Sequence, residues 1–303
     1  MEKRFFRHSA LLGLALLAVV EPAQAAEVRG FGINRYEPSE AGSRFFGLES
    51  LDHEGKRQLF LRLTGDHVRE PQWLYATDGS HRALVDYQLA LHANAALVFA
   101  DRYRLAVSLP LYLLQSGSTI DRFDGTYVGP DSAGIGDVRL GLDARLLGER
   151  SEPLRLGLGF RFWAPTGSAD DYTGDGDYKL EPRIDLAGSV ATVEYAARVG
   201  YLHRGRHQSF ALTPIGDELA FGAGIGLRFL DDALVLGPEL QTSWALSDTG
   251  QIPDETRVFG ALLIGGHYRL GNWELGLAAG PGLSHVAGTP RVRALASVQW
   301  APR

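Results

Sequence analysis

The feature that most constrains this chain is an alternation of apolar and polar residues that recurs from about residue 57 to the end. The stretch LRLGLGFRF at 154–162, for example, sets Leu and Phe at even positions against Arg and Gly at odd positions. Successive side chains of a β-strand point to opposite faces, so each such stretch predicts a strand with one apolar face. A helix does not fit, because Leu140 and Leu142 would then point to different sides.

A soluble β-sandwich also alternates, but two further features favour a membrane barrel. The alternating stretches are about ten residues or longer, the length of a transmembrane β-strand. Short turns, predicted at 100–102, 148–153, 189–192, 230–232 and 270–272, also alternate with longer loops at 78–82, 116–134, 167–177, 204–217, 247–255 and 284–290. The sequence therefore predicts an all-β, transmembrane, antiparallel up-and-down β-barrel of about 12 strands over residues 57–303.

The first 25 residues have the pattern of a signal peptide. Lys3, Arg4 and Arg7 precede a short apolar stretch, and the motif AQA at 23–25 offers a cleavage site. We expect export to the outer membrane, with outer-membrane lipid and the barrel-assembly machinery as partners. An even strand number predicts that both ends of the mature chain lie in the periplasm.

Composition excludes several classes of function. The chain has no cysteine, so it has neither a disulfide framework nor a thiolate metal site. A net charge of −6 argues against a nucleic-acid partner, which requires a basic surface. No motif predicts a cofactor.

Residues 26–56 precede the alternating region and are too apolar for a free tail. They include Phe31, Tyr36, Phe45, Phe46 and Leu48. We expect this segment to fold against the periplasmic mouth of the barrel or inside its lumen as a plug.

The polar faces of the strands carry many charges, and arginine predominates. The predicted lumen cluster comprises Arg104, Arg139, Asp143, Arg145, Arg155, Arg161, Glu181, Arg183, Asp185, Arg198 and Glu239; Arg291 is assigned to the same face. The charges either pair across strands and fill the barrel, or line a porin-like pore that prefers anions. A third alternative is a channel for small hydrophobic molecules. Its only support is four apolar residues predicted to face inward: Trp163, Phe259, Leu263 and Leu295.

Two other patterns permit a site. The loop PTGSADDYTGDGDY places Asp170, Asp171, Asp175 and Asp177 between glycines, which predicts either a cation-binding loop or a solvated acidic loop. An outer-membrane enzyme would need a histidine with a Ser or Asp partner, and no spacing identifies one. We therefore predict neither catalysis nor a metal centre.

Three motifs resemble known outer-membrane families: NRYEPSEAGSRFFGLESLD, GIGDVRLGLDARLLGE and APTGSADDYTGDGD. Together they resemble the barrel domain of OmpA-family proteins of myxobacterial type. The GIGD strand and the PTG loop are also similar to the MetA-pathway (phenol degradation) family of outer-membrane barrels. Both resemblances imply a barrel, and they say little about its cargo. The sequence carries no OmpA-type peptidoglycan-binding domain, so peptidoglycan anchoring is not expected.

Overall fold

A computed structural model describes residues 27–52, 54–150, 152–246 and 257–302. The predicted signal peptide (1–25) and the loop predicted at 247–255 lie outside these residues. Within them, no helix is long and apolar enough to cross a membrane.

Twelve long antiparallel strands form one closed sheet. They are β1 (Arg57–Tyr75), β2 (His81–Phe99), β3 (Tyr103–Gly117), β7 (Val138–Leu147), β8 (Arg155–Ala164), β9 (Lys179–Val190), β10 (Val193–Arg204), β13 (Glu218–Phe229), β14 (Leu234–Ala245), β15 (Val258–Leu270), β16 (Trp273–Gly280) and β17 (Val292–Trp300). Each pairs with its neighbours along the chain, and β1 pairs with β17 from Leu61–Trp300 to Arg69–Val292 to close the barrel. The predicted fold is confirmed.

The alternation in sequence becomes two distinct surfaces. On β8, the outward Leu158 and Phe160 are 48% and 41% exposed, whereas the inward Arg161 is 0% exposed. The same contrast recurs around the barrel, so its outside is apolar and its inside is charged. A soluble protein does not expose so continuous an apolar surface, but a lipid-facing barrel does.

The two rims differ in their connections. At the short-turn rim, Ala100 and Asp101 adopt φ of +50° and +56° in a tight turn in which Arg102 N donates to Phe99 O. Such left-handed turns match the twist of antiparallel strands. The opposite, long-loop rim holds two small hairpins, β4 (Ile120–Arg122) with β5 (Gly125–Tyr127) and β11 (Gln208–Phe210) with β12 (Thr213–Ile215), and the short strand β6 (Gly134–Ile135).

Strands β1 and β2 have 19 residues each, about twice what the bilayer requires. Because they meet the short-turn rim at Arg57 and Phe99, their extra length projects beyond the bilayer at the long-loop rim. Arg291, predicted to face the lumen, lies at this rim just before β17 begins. Its side chain is 73% exposed and pairs with Glu70, so that prediction is wrong.

The chain before β1 runs through the inside of the barrel. At the long-loop rim, Val28 N donates to Thr126 O (2.9 Å). At the short-turn rim, Gly55 N donates to the Asp101 carboxylate (2.9 Å). We call residues 28–52 the luminal segment. The first described residues therefore lie at the rim opposite the end of β17, and the prediction that both chain ends share one rim is wrong.

The lipid face gives a depth-dependent prediction. Leu142, midway along β7, is 46% exposed on the outer surface, and Leu147 on the same strand lies near the short-turn rim. Leu142→Arg should destabilise the barrel by about 2–4 kcal/mol, and Leu147→Arg by about 0–1 kcal/mol, because a charge costs most at mid-bilayer. Denaturant unfolding in lipid vesicles measures both. Equal costs for the two variants would contradict a membrane-embedded outer face.

Candidate functional site in the barrel lumen

Two carboxylates of the luminal segment are held by arginines of the barrel wall. Glu49 accepts from Arg104 Nη2 (2.5 Å) and Arg161 Nη2 (3.0 Å). Glu40 accepts from Arg139 Nη2 (3.0 Å) and Arg161 Nε (3.1 Å). All five side chains are at most 1% exposed. The arginines come from the neighbouring strands β3, β7 and β8, so one side of the wall is basic and the segment turns its acids toward it.

Carboxylates of the wall complete this cluster. Asp143 accepts from Arg104 Nε and Nη2 (2.9 and 2.7 Å) and from Arg183, and Arg183 Nε also donates to Asp185 (2.8 Å). We call Glu40, Glu49, Arg104, Arg139, Asp143, Arg161, Arg183 and Asp185 the acid–arginine cluster. Buried charges are tolerated only when they are paired and hydrogen-bonded. The luminal segment therefore supplies counter-charges that the wall lacks.

Across the lumen, a carboxylate of the wall binds the backbone of the segment. Glu239 on β14 accepts from Phe46 N (2.7 Å) and Gly47 N (3.0 Å). The segment thus presents side-chain acids to the arginine side and backbone N–H groups to the acidic side. This arrangement fixes its rotation inside the barrel.

The remaining predicted lumen residues lie outside the acid–arginine cluster. Arg145 donates to the carbonyls of Leu51 (3.2 Å) and Asp101 (2.7 Å) near the short-turn rim, and Arg155 donates to Arg150 O there. Glu181 lies 3.6 Å from Arg161 Nη1, and Arg198 faces the segment beyond it. All eleven residues of the predicted cluster are buried, but the structure divides them among separate contacts.

Apolar side chains of the segment pack into space left by small wall residues. Leu48 is fully buried and belongs to a cluster with Ala187 and Ala196. A Cβ at Gly222 or Gly224 would lie 2.5 or 2.9 Å from a methyl group of Leu48. These glycines recur at strand period in the sequence, and the packing explains them, since any side chain there would force Leu48 to shift.

An apolar cluster closes the long-loop rim. Phe31 and Ile33 of the segment pack with Tyr127, Tyr172 and Phe210 of the loops, and all five are at most 2% exposed. The Phe31 and Phe210 rings meet edge to face at 5.2 Å. Sequence reasoning missed this cluster, although isolated apolar residues in otherwise polar loops were a signal for it.

The structure does not assemble the four aspartates of the predicted cation-binding loop. Asp170 is exposed, Asp171 accepts from Ser132 Oγ (3.0 Å), and Asp177 accepts from the backbone N of Tyr178 (2.8 Å). Across the described ranges, no three His, Asp or Glu side chains are placed to hold a metal ion together.

Asp175 instead fastens the luminal segment. It accepts from Gly32 N (2.9 Å) and pairs with Arg204 and with Lys179 Nζ (3.3 Å). Burial alone would raise the pKa of Asp175, but the charges of Arg204 and Lys179 and the Gly32 hydrogen bond lower it to about 2. Asp175 is therefore ionised wherever the protein is folded at ordinary pH.

Histidines are spread between the lumen and the rim. His92 and His267 are buried beside aromatic rings of the segment. The ring centroids of His92 and Tyr36 are 5.7 Å apart, and those of His267 and Phe46 are 4.1 Å apart. His203 at the long-loop rim contacts the Asp217 carboxylate through Nδ1 (3.0 Å). The lumen as a whole is built for packing and charge pairing with the segment.

Comparison with known proteins agrees with this architecture. The sequence model of the family described as "Putative MetA-pathway of phenol degradation" matches residues 76–289, more than two thirds of the chain. No curated protein sequence matches significantly. An outer-membrane channel from Pseudomonas putida F1 is similar in structure, with a TM-score of 0.55 at 15% identity over 82% of this chain and 97% of that one. The NanC porin has a TM-score of 0.50 at 7% identity, over 79% and 98%.

Neutralising Glu49 should release the segment. Glu49→Gln keeps the shape but leaves Arg104 and Arg161 short of a counter-charge, and losing one partner of a buried pair costs about 3–5 kcal/mol. We expect trypsin to cleave the folded variant at Arg44, which is buried in the wild type, at least tenfold faster. Glu54→Gln, exposed in the same stretch of chain, is the matched control and should leave cleavage unchanged. Wild-type protection in Glu49→Gln would show that the pairing does not hold the segment.

The depressed pKa of Asp175 gives a pH prediction. A carboxyl whose pKa falls from 3.8 to about 2 on folding contributes on the order of 2 kcal/mol. This contribution is complete above pH 4 and is lost as the pH falls through about 2. The difference in melting temperature between wild type and Asp175→Asn should therefore be constant from pH 7 to 4 and shrink below it. A difference that grows on acidification would contradict the pairing.

Proposed function

The chain belongs to the family described as the putative MetA-pathway of phenol degradation, and we propose that it is an outer-membrane channel closed at rest by its own luminal segment. The barrel supplies a path through the membrane, and residues 28–52 occupy that path from rim to rim. Export by the predicted signal peptide (1–25) and insertion by the barrel-assembly machinery are part of this proposal.

The observation that carries the proposal is the acid–arginine cluster. Glu40 and Glu49 sit midway through the lumen and bridge arginines from three neighbouring strands. A solute cannot pass while these carboxylates occupy the space between the walls. The segment contributes no strand to the barrel sheet. It is held by ion pairs, by hydrogen bonds to carboxylates and by apolar contacts. It can therefore be displaced without breaking the wall.

The wall that such a displacement would expose is net basic. Among the described residues, the buried charges on the long strands comprise ten arginines and eight carboxylates. Removal of the segment takes Glu40 and Glu49 away from the arginine side, which strengthens the positive potential there. Rings of Arg and Lys favour anions in pores, so we expect the open channel to prefer small anions.

Single-channel recording tests the proposal. Deleting residues 27–51 should convert a closed barrel into a conducting one, with a reversal potential in a salt gradient that shows anion preference. The full-length chain in the same bilayer is the control, and heat-modifiable gel mobility shows whether the deletion variant is folded.

A point variant tests the same proposal if the deletion variant does not fold. A Cβ at Gly30 would lie 2.3 Å from the backbone carbonyl of Ala169, so Gly30→Val should loosen only the long-loop end of the segment. We expect brief openings from it and none from the wild type. A folded deletion variant that stays closed would refute closure by the segment.

A second candidate function is passage of small hydrophobic molecules. It is favoured by the apolar cluster at the long-loop rim, which offers buried aromatic surface at the outer entrance, and by the family description. The charged middle of the lumen argues for polar solutes instead. Uptake of a monoaromatic solute into proteoliposomes, compared between wild type and the deletion variant, distinguishes the two candidates.

A further inference from the structure

Between the luminal segment and the wall lies an internal cavity of about 80 Å³. Its donors are Arg35 of the segment and Arg161, Arg198, Arg204 and Gln241 of the wall, and the carboxylates of Glu37, Glu181 and Glu218 also line it. A single buried water needs about 10–15 Å³ by this kind of measure, so the cavity has room for several waters or one small polyatomic ion.

Arg198 differs from the other cations that line this cavity. Arg35 and Arg204 pair with Glu218 at 2.8 and 3.1 Å, and Arg161 pairs with Glu40 and Glu49. Arg198 is 91% buried, since its relative exposure is 9%, yet it has no carboxylate within ion-pair distance among the described residues. Its one hydrogen bond there is a long one, 3.5 Å from Nη1 to Gly47 O. A buried guanidinium without a direct ion-pair partner is costly.

The other unmatched polar atoms around the cavity have the same character. They are Arg35 Nε, Arg161 Nη1, Arg198 Nε, Arg204 Nε and Gln241 Nε2, all of them hydrogen-bond donors without a partner in the described part of the chain. The lining also holds three carboxylates, Glu37, Glu181 and Glu218, but five cationic side chains, with Lys179 as the fifth. Positive charge and unmatched hydrogen-bond donors are therefore in excess around the cavity.

We propose that this cavity is a binding site for a small oxyanion, such as nitrate or formate, held by Arg198 with the neighbouring Arg and Gln donors. A planar guanidinium matches the paired oxygens of such an anion, and several converging N–H groups satisfy its remaining lone pairs. A cation would meet the like charge of Arg198, and an apolar solute would leave the donors unmatched.

The site lies on the route that the proposed function assigns to solutes, and only its role in transport rests on that proposal. Binding is measured on the closed full-length protein without any current. If the deletion variant stays closed but the site binds as described here, the channel proposal fails and this one stands.

The experiment measures the melting temperature of the full chain in detergent, with formate or nitrate titrated against gluconate at constant ionic strength. Gluconate is too large for the cavity and serves as the reference anion. Wild type should melt at a higher temperature as the small oxyanion rises. Arg198→Gln should weaken the apparent affinity by about 10- to 100-fold, because a charged hydrogen-bonding partner is lost.

Arg155→Gln is the matched control. Arg155 is likewise buried and has no carboxylate at ion-pair distance among the described residues, but it lies near the short-turn rim outside this cavity. Its variant should retain the oxyanion response. Without oxyanion, Arg198→Gln should differ little in stability from the wild type, because the variant breaks no direct ion pair among the described residues.

Two results would overturn the site. One is a wild type that melts equally in formate, nitrate and gluconate, since the donors then bind only water. The other is an unchanged response in Arg198→Gln. Should that variant fail to fold, wild-type crystals soaked in bromide decide the matter. An anomalous peak within hydrogen-bonding distance of Arg198 Nε supports the site, and its absence overturns it.

Discussion

A backbone N–H or C=O group in hydrocarbon has no water to bond, and this constraint governs the architecture of the protein. It requires every long strand to pair on both sides, so the sheet closes where β1 meets β17. Closure divides the strand side chains into a lipid face and an enclosed face. On each strand, the apolar side chains face the lipid and the alternate, charged side chains face inward. Because the inward charges are buried, each needs a partner of opposite charge or a hydrogen bond.

The luminal segment neutralises charge that closure of the barrel buries. The arginines of β3, β7 and β8 have more positive charge than neighbouring wall carboxylates neutralise, and Glu40 and Glu49 supply the difference. The wall in turn leaves room for the segment through Gly222 and Gly224. Segment and wall therefore stabilise each other by charge and by shape, although they belong to separate parts of the chain.

Under the proposed function, the balance of these contacts is what lets a closed barrel open as a channel. Ladder hydrogen bonds hold the wall, whereas ion pairs and apolar packing hold the segment. Buried ion pairs contribute little net stability when intact and cost much when one partner is lost. A change in one counter-charge can therefore shift the segment while the barrel persists. In the proposed oxyanion site, Arg198, which makes no ion pair with a carboxylate among the described residues, is where a solute would enter that balance.

The sequence by itself determined the barrel, its strand count and the inward placement of the charge cluster, because side-chain alternation is a local property of each strand. It did not determine where the segment lies. The first described residues were expected at the rim where β17 ends and lie at the other, since that position depends on pairings such as Glu49 with Arg104, 55 residues apart. The apolar cluster around Phe210 and the fastening of Gly32 by Asp175 likewise arise only when distant loops meet. Such contacts have no period along the chain, so only the tertiary structure decides them.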